Sequence, residues 1–437
     1  MNAVNEKWKV ALESKLKLAL SETTLSDNGE RIDVSDLWGR LKPAIEQIVS
    51  RFGHILDSDE ASIQIIDVAL REIYRTADTD PEKPQTSQEI GAEIVERMSR
   101  EASQYFAALP NKYDVFFELP GLKDADCTNF SLTSKVKAVE CFGLANKVGS
   151  KRNVSIYEVI GALNGKRTED ETFIIQSGLY LKTFVEGHIG HRSDGITAFE
   201  AISRVKQTIF LLKLANRIEF ANPIGGAIPA KVYVRFGKDI RELDVAEDFA
   251  ELLGKVTLTK EVRKVVGEER SNWKGGAHGA TTILTTPPVP QQYLRLPRAS
   301  SDLIDLPDNH SDSIALKNAM IWAMDAQQGR GDISLKLVQL SIAFEAVLGI
   351  DSTKQGKTEQ LADRCAYVVA NTRSERAEIR RQFVKFYNVR SEIVHGSKTR
   401  ADSEVRVMYF WAKRVLQIVI AKEIAPRMDS VTSTVKR

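Results

Sequence analysis

Apolar residues recur at helical spacing through the first hundred positions. Trp8, Leu12, Leu16 and Leu20 form one stripe, Leu37, Leu41, Ile45, Ile48 and Val49 a second, and Ile63, Ile66, Ala69, Leu70 and Ile73 a third. Steps of three and four residues are those of a helix with one buried face. After Asp80-Pro81-Glu82-Lys83-Pro84, Thr86 or Ser87 is placed to cap a fourth helix containing Ile90, Ile94 and Met98. The pattern predicts a helical N-terminal region over residues 1–110.

The period changes at Asn111. Residues 113–119 and the alternating run 135–141 predict strands, with Pro120-Gly121 as a turn between blocks. Residues 172–176 and 180–185 flank Ser177-Gly178 and predict a hairpin; a long helix is expected from about Ala198 to Phe220 and a further strand at 231–236. Region 111–285 is therefore expected to be a mixed α+β domain in a sensing or regulatory position. Residues 286–298, with Pro287, Pro288 and Pro290, continue neither a helix nor a central strand and form the best candidate linker.

Helical spacing returns over 299–425, with 426–437 as a tail. Apolar runs around Ile314–Ala323 and Leu335–Leu348, a helix from about Thr358 through Arg364 and Cys365, and a nearly continuous apolar stretch from Val405 to Ile424 predict a helical bundle. The last helix is apolar on most sides, as expected of a bundle core or a dimer seam. The overall expectation is a multidomain α+β chain, helical at both ends.

Within that bundle Ile379, Phe383, Phe386, Arg390 and Ile393 follow steps of four, three, four and three. Arg390 thus occupies a place on a buried stripe, which costs several kcal/mol, to order of magnitude, unless a carboxylate, a phosphate or a cleft receives its guanidinium. His395 follows, and Gly396 is placed to stop the helix in a left-handed cap. One helix end supplies a permanent cation and a side chain of the proton-exchanging type.

The run Tyr387-Asn388-Val389-Arg390-Ser391-Glu392-Ile393-Val394-His395-Gly396 resembles the signature of the HEPN superfamily, and most closely its Apea-like branch. In that branch the arginine is typically followed by serine and the histidine by glycine. The resemblance covers the C-terminal third. It implies a helical bundle that often dimerises and, in many members, a metal-independent RNA endonuclease of prokaryotic defence or toxin systems. On it, Arg390 and His395 are the catalytic candidates. Ser391 is a departure, being a weaker hydrogen-bonding group than the Asn, Asp or His many catalytic members carry there. Ser397 stands where some relatives carry a modifiable tyrosine, so that control is not expected.

The chemistry fits the residue types. Metal-free RNA cleavage needs a base for the ribose 2′-hydroxyl, an acid for the leaving oxygen and a cation for charge developing on the phosphate. One Arg and one His do not supply both acid and base, so two motifs facing across a homodimer are expected, as the resemblance also implies. The structural alternative is an Arg–carboxylate pair with a histidine at a helix C-terminus. Glu345, which interrupts an apolar run, is the candidate to anchor Arg390 or Arg364, and Tyr387 is a further supporting residue. A glutamate in the corresponding helix is also common in the Apea-like pattern.

Composition narrows the partners. The chain has 437 residues, 43% hydrophobic and 27% charged, which suits two or three soluble domains. A net charge of +2 sets up no global field for nucleic acid. Cations are enriched locally over 373–400, where Arg380, Arg381, Lys385 and Lys398 are candidate RNA contacts, although such a run is more often a solvated helix face. Cys127, Cys141 and Cys365 lack metal or disulfide spacing. No signal peptide or membrane span is expected, nor a cofactor, and the predicted compartment is the cytoplasm.

Three other motifs are expected to be structural. Gly356-Lys357-Thr358 lacks the spacing of a phosphate loop, His188-Ile189-Gly190-His191 predicts a turn, and Gly275-Gly276-Ala277-His278-Gly279 a flexible loop. The leading expectation is thus a HEPN endoribonuclease with RNA as substrate. Its N-terminal regions would sense or restrain, with a protein or phage-derived trigger. The alternatives are a non-catalytic HEPN module binding RNA, a nucleotide or a protein partner, and an enzyme in the middle domain around His188 or His278.

Overall fold

The computed structural model describes residues 3–21, 34–77, 91–122, 139–144, 148–151, 172–175, 178–190, 193–214, 218–221, 227–237, 239–259, 311–328, 332–349, 356–396 and 403–434. Among these the chain forms eleven helices around a small antiparallel sheet.

Helices α1 (Ala3–Ser21), α2 (Val34–Phe52), α3 (Ser58–Ala77) and α4 (Ala92–Ala107) build the N-terminal module, with α1 against α2 and α4, and α3 against α2 and α4. The first two predicted stripes form its core: Leu12, Leu16, Leu20, Leu37, Leu41 and Ile48 are buried in a cluster of their own. In α3 the buried face is Ile65, Ile66, Val68 and Ala69, while Ile63 and Leu70 are only partly covered. Gly91 caps α4; Thr86, Ser87 and Ile90 lie outside the described residues.

The middle region holds β1 (Asn111–Glu118), β2 (Val139–Leu144), β3 (Val148–Lys151), β4 (Thr172–Ile175), β5 (Gly178–Gly187), α5 (Ile196–Leu214), β6 (Ile218–Phe220), β7 (Val232–Phe236), β8 (Asp239–Glu242), α6 (Glu247–Gly254) and β9 (Val256–Leu258). Five strands form one sheet in the order β2-β5-β1-β7-β8, every neighbour antiparallel. Side chains alternate across it, as the two-residue period of a strand requires. Val115, Phe117, Leu181, Val185, Val232 and Val234 belong to the main core with residues of α5 and α6, whereas Phe116, Tyr180, Tyr233 and Ile240 form a small cluster on the other face.

Two sequence expectations fail here. The hairpin across Ser177-Gly178 does not form, because β1 and β2 occupy both edges of β5; β4 pairs with β3 instead. A strand whose backbone groups are bonded on both sides has no edge left to offer. The long helix ends at Leu214 rather than near Phe220, and Ile218–Phe220 becomes a strand paired with β9. Elements β8, α6 and β9 are too short to be seen in a periodicity.

The C-terminal bundle comprises α7 (Ser311–Asp325), α8 (Ile333–Leu348), α9 (Lys357–Val369), α10 (Arg373–Val394) and α11 (Ser403–Thr434). The predicted tail is helical as far as Thr434. Val405, Met408, Trp411, Val415, Val419 and Ile420 of α11 are buried within the chain, so the bundle core itself accounts for that helix's apolar character. The proline-rich stretch and the glycine loop with His278 lie outside the described residues. On either side of them α5 packs on α7, and Ile209 and Met320 belong to one hydrophobic cluster. The sheet and the bundle are therefore joined by buried apolar surface as well as by chain. No helix among the described residues is long and apolar enough to cross a membrane.

The N-terminal module, with its separate core, meets the sheet through polar contacts. Thr197 Oγ1 accepts from the His188 amide and donates to the Ile55 carbonyl, both at 3.1 Å. Asp57 and Glu60 cap α3 reciprocally, Glu60 N donating to Asp57 Oδ1 at 2.8 Å and Asp57 N to Glu60 Oε2 at 3.1 Å. Partial burial raises the Glu60 carboxyl to about 7 from its ordinary 4.5. A carboxyl whose folded pKa lies above its unfolded value adds stability below the unfolded pKa, and that stability is lost as pH rises through the folded pKa. Thermal unfolding of Glu60→Gln is thus expected to gain on wild type between about pH 4.5 and 7, with parallel profiles refuting the shift.

Candidate functional site at the end of helix α10

Local sequence accounts for both ends of α10. Thr372 and Glu375 form a capping box, Glu375 N donating to Thr372 Oγ1 at 3.2 Å and Thr372 N to Glu375 Oε2 at 3.0 Å. At the other end Gly396 has φ 73°, the left-handed stop expected of it, and its amide donates to the Ile393 carbonyl at 3.1 Å.

Between these ends the predicted stripe is buried. Ile379, Phe383 and Phe386 are inside, and Arg390 and Ile393 are partly covered where the stripe reaches the surface. Aromatic rings lock the helix in place. The Phe383 ring lies 5.1 Å from Phe344 of α8, 5.1 Å from Tyr387 and 6.4 Å from Trp411 of α11. This packing directs the last turn of α10 against α8.

There Arg390 Nε donates to Ser341 Oγ at 3.4 Å. Among the described residues no carboxylate pairs with the guanidinium. Tyr387 Oη is 3.3 Å from Glu345 Oε1 and 3.4 Å from the Ser341 carbonyl, and the other Glu345 oxygen binds Lys357 Nζ at 2.6 Å. Burial, reinforced by Glu345, pushes the Tyr387 hydroxyl well above its ordinary pKa, so it stays protonated and acts as a donor.

Glu345 therefore anchors Tyr387 and Lys357, and not Arg390 or Arg364 as expected. Arg364 instead donates to the Leu348 carbonyl at 2.6 Å, satisfying an orphan acceptor at the end of α8. Lys357, in a glycine-lysine motif that lacks the spacing of a phosphate loop, thus has a structural task as the cation of Glu345. The signal that could have found it is the isolated Glu345, a carboxylate in an apolar run that needs a cation. Tyr387→Phe is expected to lower stability by about 0.5–1.5 kcal/mol. A double-mutant cycle with Glu345→Gln is expected to show coupling of similar size, whereas additive effects would mean that this hydrogen bond contributes nothing.

His395 is the C-cap residue of α10 and is exposed, its amide donating to the Ser391 carbonyl at 2.9 Å. Ser391 is partly buried on the same turn. The structure thus groups Arg390, Tyr387, Glu345, Lys357 and Ser341 within one chain, and leaves the His395 side chain open to solvent.

The candidate RNA cations are engaged with carboxylates. Arg380 pairs with Asp363 at 2.7 Å, Arg381 with Glu378 at 2.7 Å and Lys385 with Glu404 at 2.8 Å. Exposed pairs of this kind are weak, worth roughly 0–1 kcal/mol, so a phosphate can displace the carboxylate at little cost. Lys398 lies outside the described residues. His188 is buried at the end of β5 with Nδ1 2.6 Å from Tyr105 Oη, a contact that ties the sheet to α4; His191 lies outside the described residues. Comparison of the chain with protein-family models, curated proteins and solved structures finds no match.

Proposed function

We propose that the chain is a metal-independent endoribonuclease of the HEPN type, acting as a homodimer in a prokaryotic defence or toxin role. The observation that carries this reading is Arg390, a half-buried guanidinium on a core stripe with no carboxylate partner among the described residues. A purely structural arginine at such a place is normally neutralised. Here Nε is held by Ser341 and the rest of the planar fork is left to receive an anion, which suits a phosphate in a bidentate arrangement. His395, at the adjacent helix end, has the side-chain type for proton transfer at the ribose 2′-hydroxyl or the leaving oxygen. Two such sets are required, one from each chain, because one histidine does not serve as base and acid in the same step. Glu345 and Tyr387 act on Arg390 by shaping the turn that carries it, and do not touch RNA.

A second reading is favoured by the exposed His395 ring, which has no side-chain partner among the described residues to orient it. A proton-transfer histidine is usually held by such a partner. On this reading the same helix end binds RNA, a nucleotide or a protein without cleaving. Incubation of the purified chain with total RNA in EDTA, followed by analysis of product ends, separates the two. Products ending in 2′,3′-cyclic phosphate are expected; RNA that is retained but uncut, with and without activating extracts, overturns the nuclease reading.

A further inference from the structure

Arg390 and Glu345 flank one tyrosine. Ser341 and Glu345 stand four residues apart on α8, and Tyr387 and Arg390 three apart on α10, so each pair shares a helix face, with about 5–6 Å between Cβ atoms. Tyr387 Oη lies 3.4 Å from the Ser341 carbonyl and 3.3 Å from Glu345 Oε1, while Arg390 Nε donates to Ser341 Oγ at 3.4 Å. The guanidinium is therefore held one helical turn from a carboxylate by one long bond to a neutral hydroxyl. A bond to that carboxylate would be shorter and roughly twice as strong. Both side chains are only partly covered, and both are long.

What occupies Glu345 instead is Lys357. Its Nζ takes Oε2 at 2.6 Å and leaves Oε1 to Tyr387, so each carboxylate oxygen already has a donor. Lys357 is the first residue of α9, entered through Gly356 at φ 81°, a left-handed conformation that glycine adopts without steric cost. A cation in the first turn works against the helix macrodipole, so α9 gains nothing from it. The pairing with Glu345 accounts for its place. Arg364 is held by the Leu348 carbonyl at 2.6 Å, which leaves Arg390 as the cation one turn away.

We infer that Lys357 is a positioning residue, holding Glu345 against α9 so that the Arg390 fork stays open to an oxyanion. Without that amine the carboxylate turns to Arg390 and closes the fork with an internal ion pair. The Tyr387 hydroxyl between them feels both charges: burial and Glu345 push its pKa up, and Arg390 pulls it down. That the oxyanion is an RNA phosphate rests on the ribonuclease reading; the exchange of partners within the chain does not.

The test reads Arg390 directly. Full-length wild type, Lys357→Met, Lys357→Arg and the double variant Lys357→Met with Glu345→Gln are treated with phenylglyoxal. Modification of Arg390 is followed by peptide mass mapping, with the exposed Arg373 as internal reference. A guanidinium engaged by a carboxylate reacts more slowly. Lys357→Met is expected to slow labelling of Arg390 about 10–100-fold, the equivalent of a hydrogen bond between charged groups. Lys357→Arg is expected to keep most of the rate, and Glu345→Gln to restore it in the methionine background. Loss of packing alone would not be undone by removing a second charge. Cleavage of a defined RNA in EDTA is expected to fall and recover in the same order. Arg390 unlabelled in wild type, equal labelling in Lys357→Met, or slow labelling that persists in the double variant overturns the inference. If the labelling behaves as expected and wild type cuts no RNA, the ribonuclease reading fails and the inference stands.

Discussion

Arg390→Ala is expected to lower RNA cleavage by about 10²–10³-fold, the usual cost of removing a group that stabilises charge developing in the transition state. His395→Ala is expected to cost about 10²–10⁴-fold, as for loss of a proton-transfer group. Neither substitution should disturb the fold. Arg390 gives up one long hydrogen bond of 3.4 Å to Ser341, worth at most about 1 kcal/mol, and His395 is exposed. Arg390→Lys discriminates further, since it keeps the charge and loses the planar fork, and partial activity is expected. The readout is single-turnover cleavage of a defined RNA in EDTA, with circular dichroism to confirm folding. If both alanine variants fold and cleave like wild type, the site lies elsewhere.

Phe383→Ala is expected to have the largest effect on stability, a loss of about 3–5 kcal/mol from the transfer and cavity terms together. The ring is fully buried and touches Phe344, Phe386, Tyr387 and Trp411, so no single neighbour can move to fill the void. For a chain of 437 residues, whose unfolding entropy scales with length, the melting temperature is expected to fall by roughly 3–6 °C. Tyr387 stacks on this ring and bonds Glu345, so the cavity also loosens the turn bearing Arg390. Cleavage should therefore drop steeply with temperature in this variant, whereas in Arg390→Ala it is low at every temperature. A loss below about 1 kcal/mol, measured by calorimetry, would mean that the aromatic cluster is not what holds α10.

The contrast between these variants reflects what was legible in the chain. Helices α1, α2 and α10 could be read because each buries one continuous face, and a buried face leaves a period in the sequence. The stop at Gly396 was readable for a related reason: only glycine adopts that backbone conformation without steric cost, and the structure gives it φ 73°. The Thr372-x-x-Glu375 capping box is likewise local, since both of its hydrogen bonds lie within four residues. Strand pairing was another matter. Residues 172–185 carry a turn signal between two strands, and nothing local says that β1 and β2 already occupy the edges of β5.

The site divides in the same way. By itself the sequence determined that an arginine stands on a buried stripe, followed by a histidine at a glycine-stopped helix end, because these are relations within a single helix. Only the tertiary structure decided that Ser341 receives Arg390, that Glu345 takes Tyr387 and Lys357 instead of an arginine, and that Arg380 and Lys385 are engaged with carboxylates of neighbouring helices. Some of these partners come from other helices, and which side chain reaches which charge depends on how the helices pack.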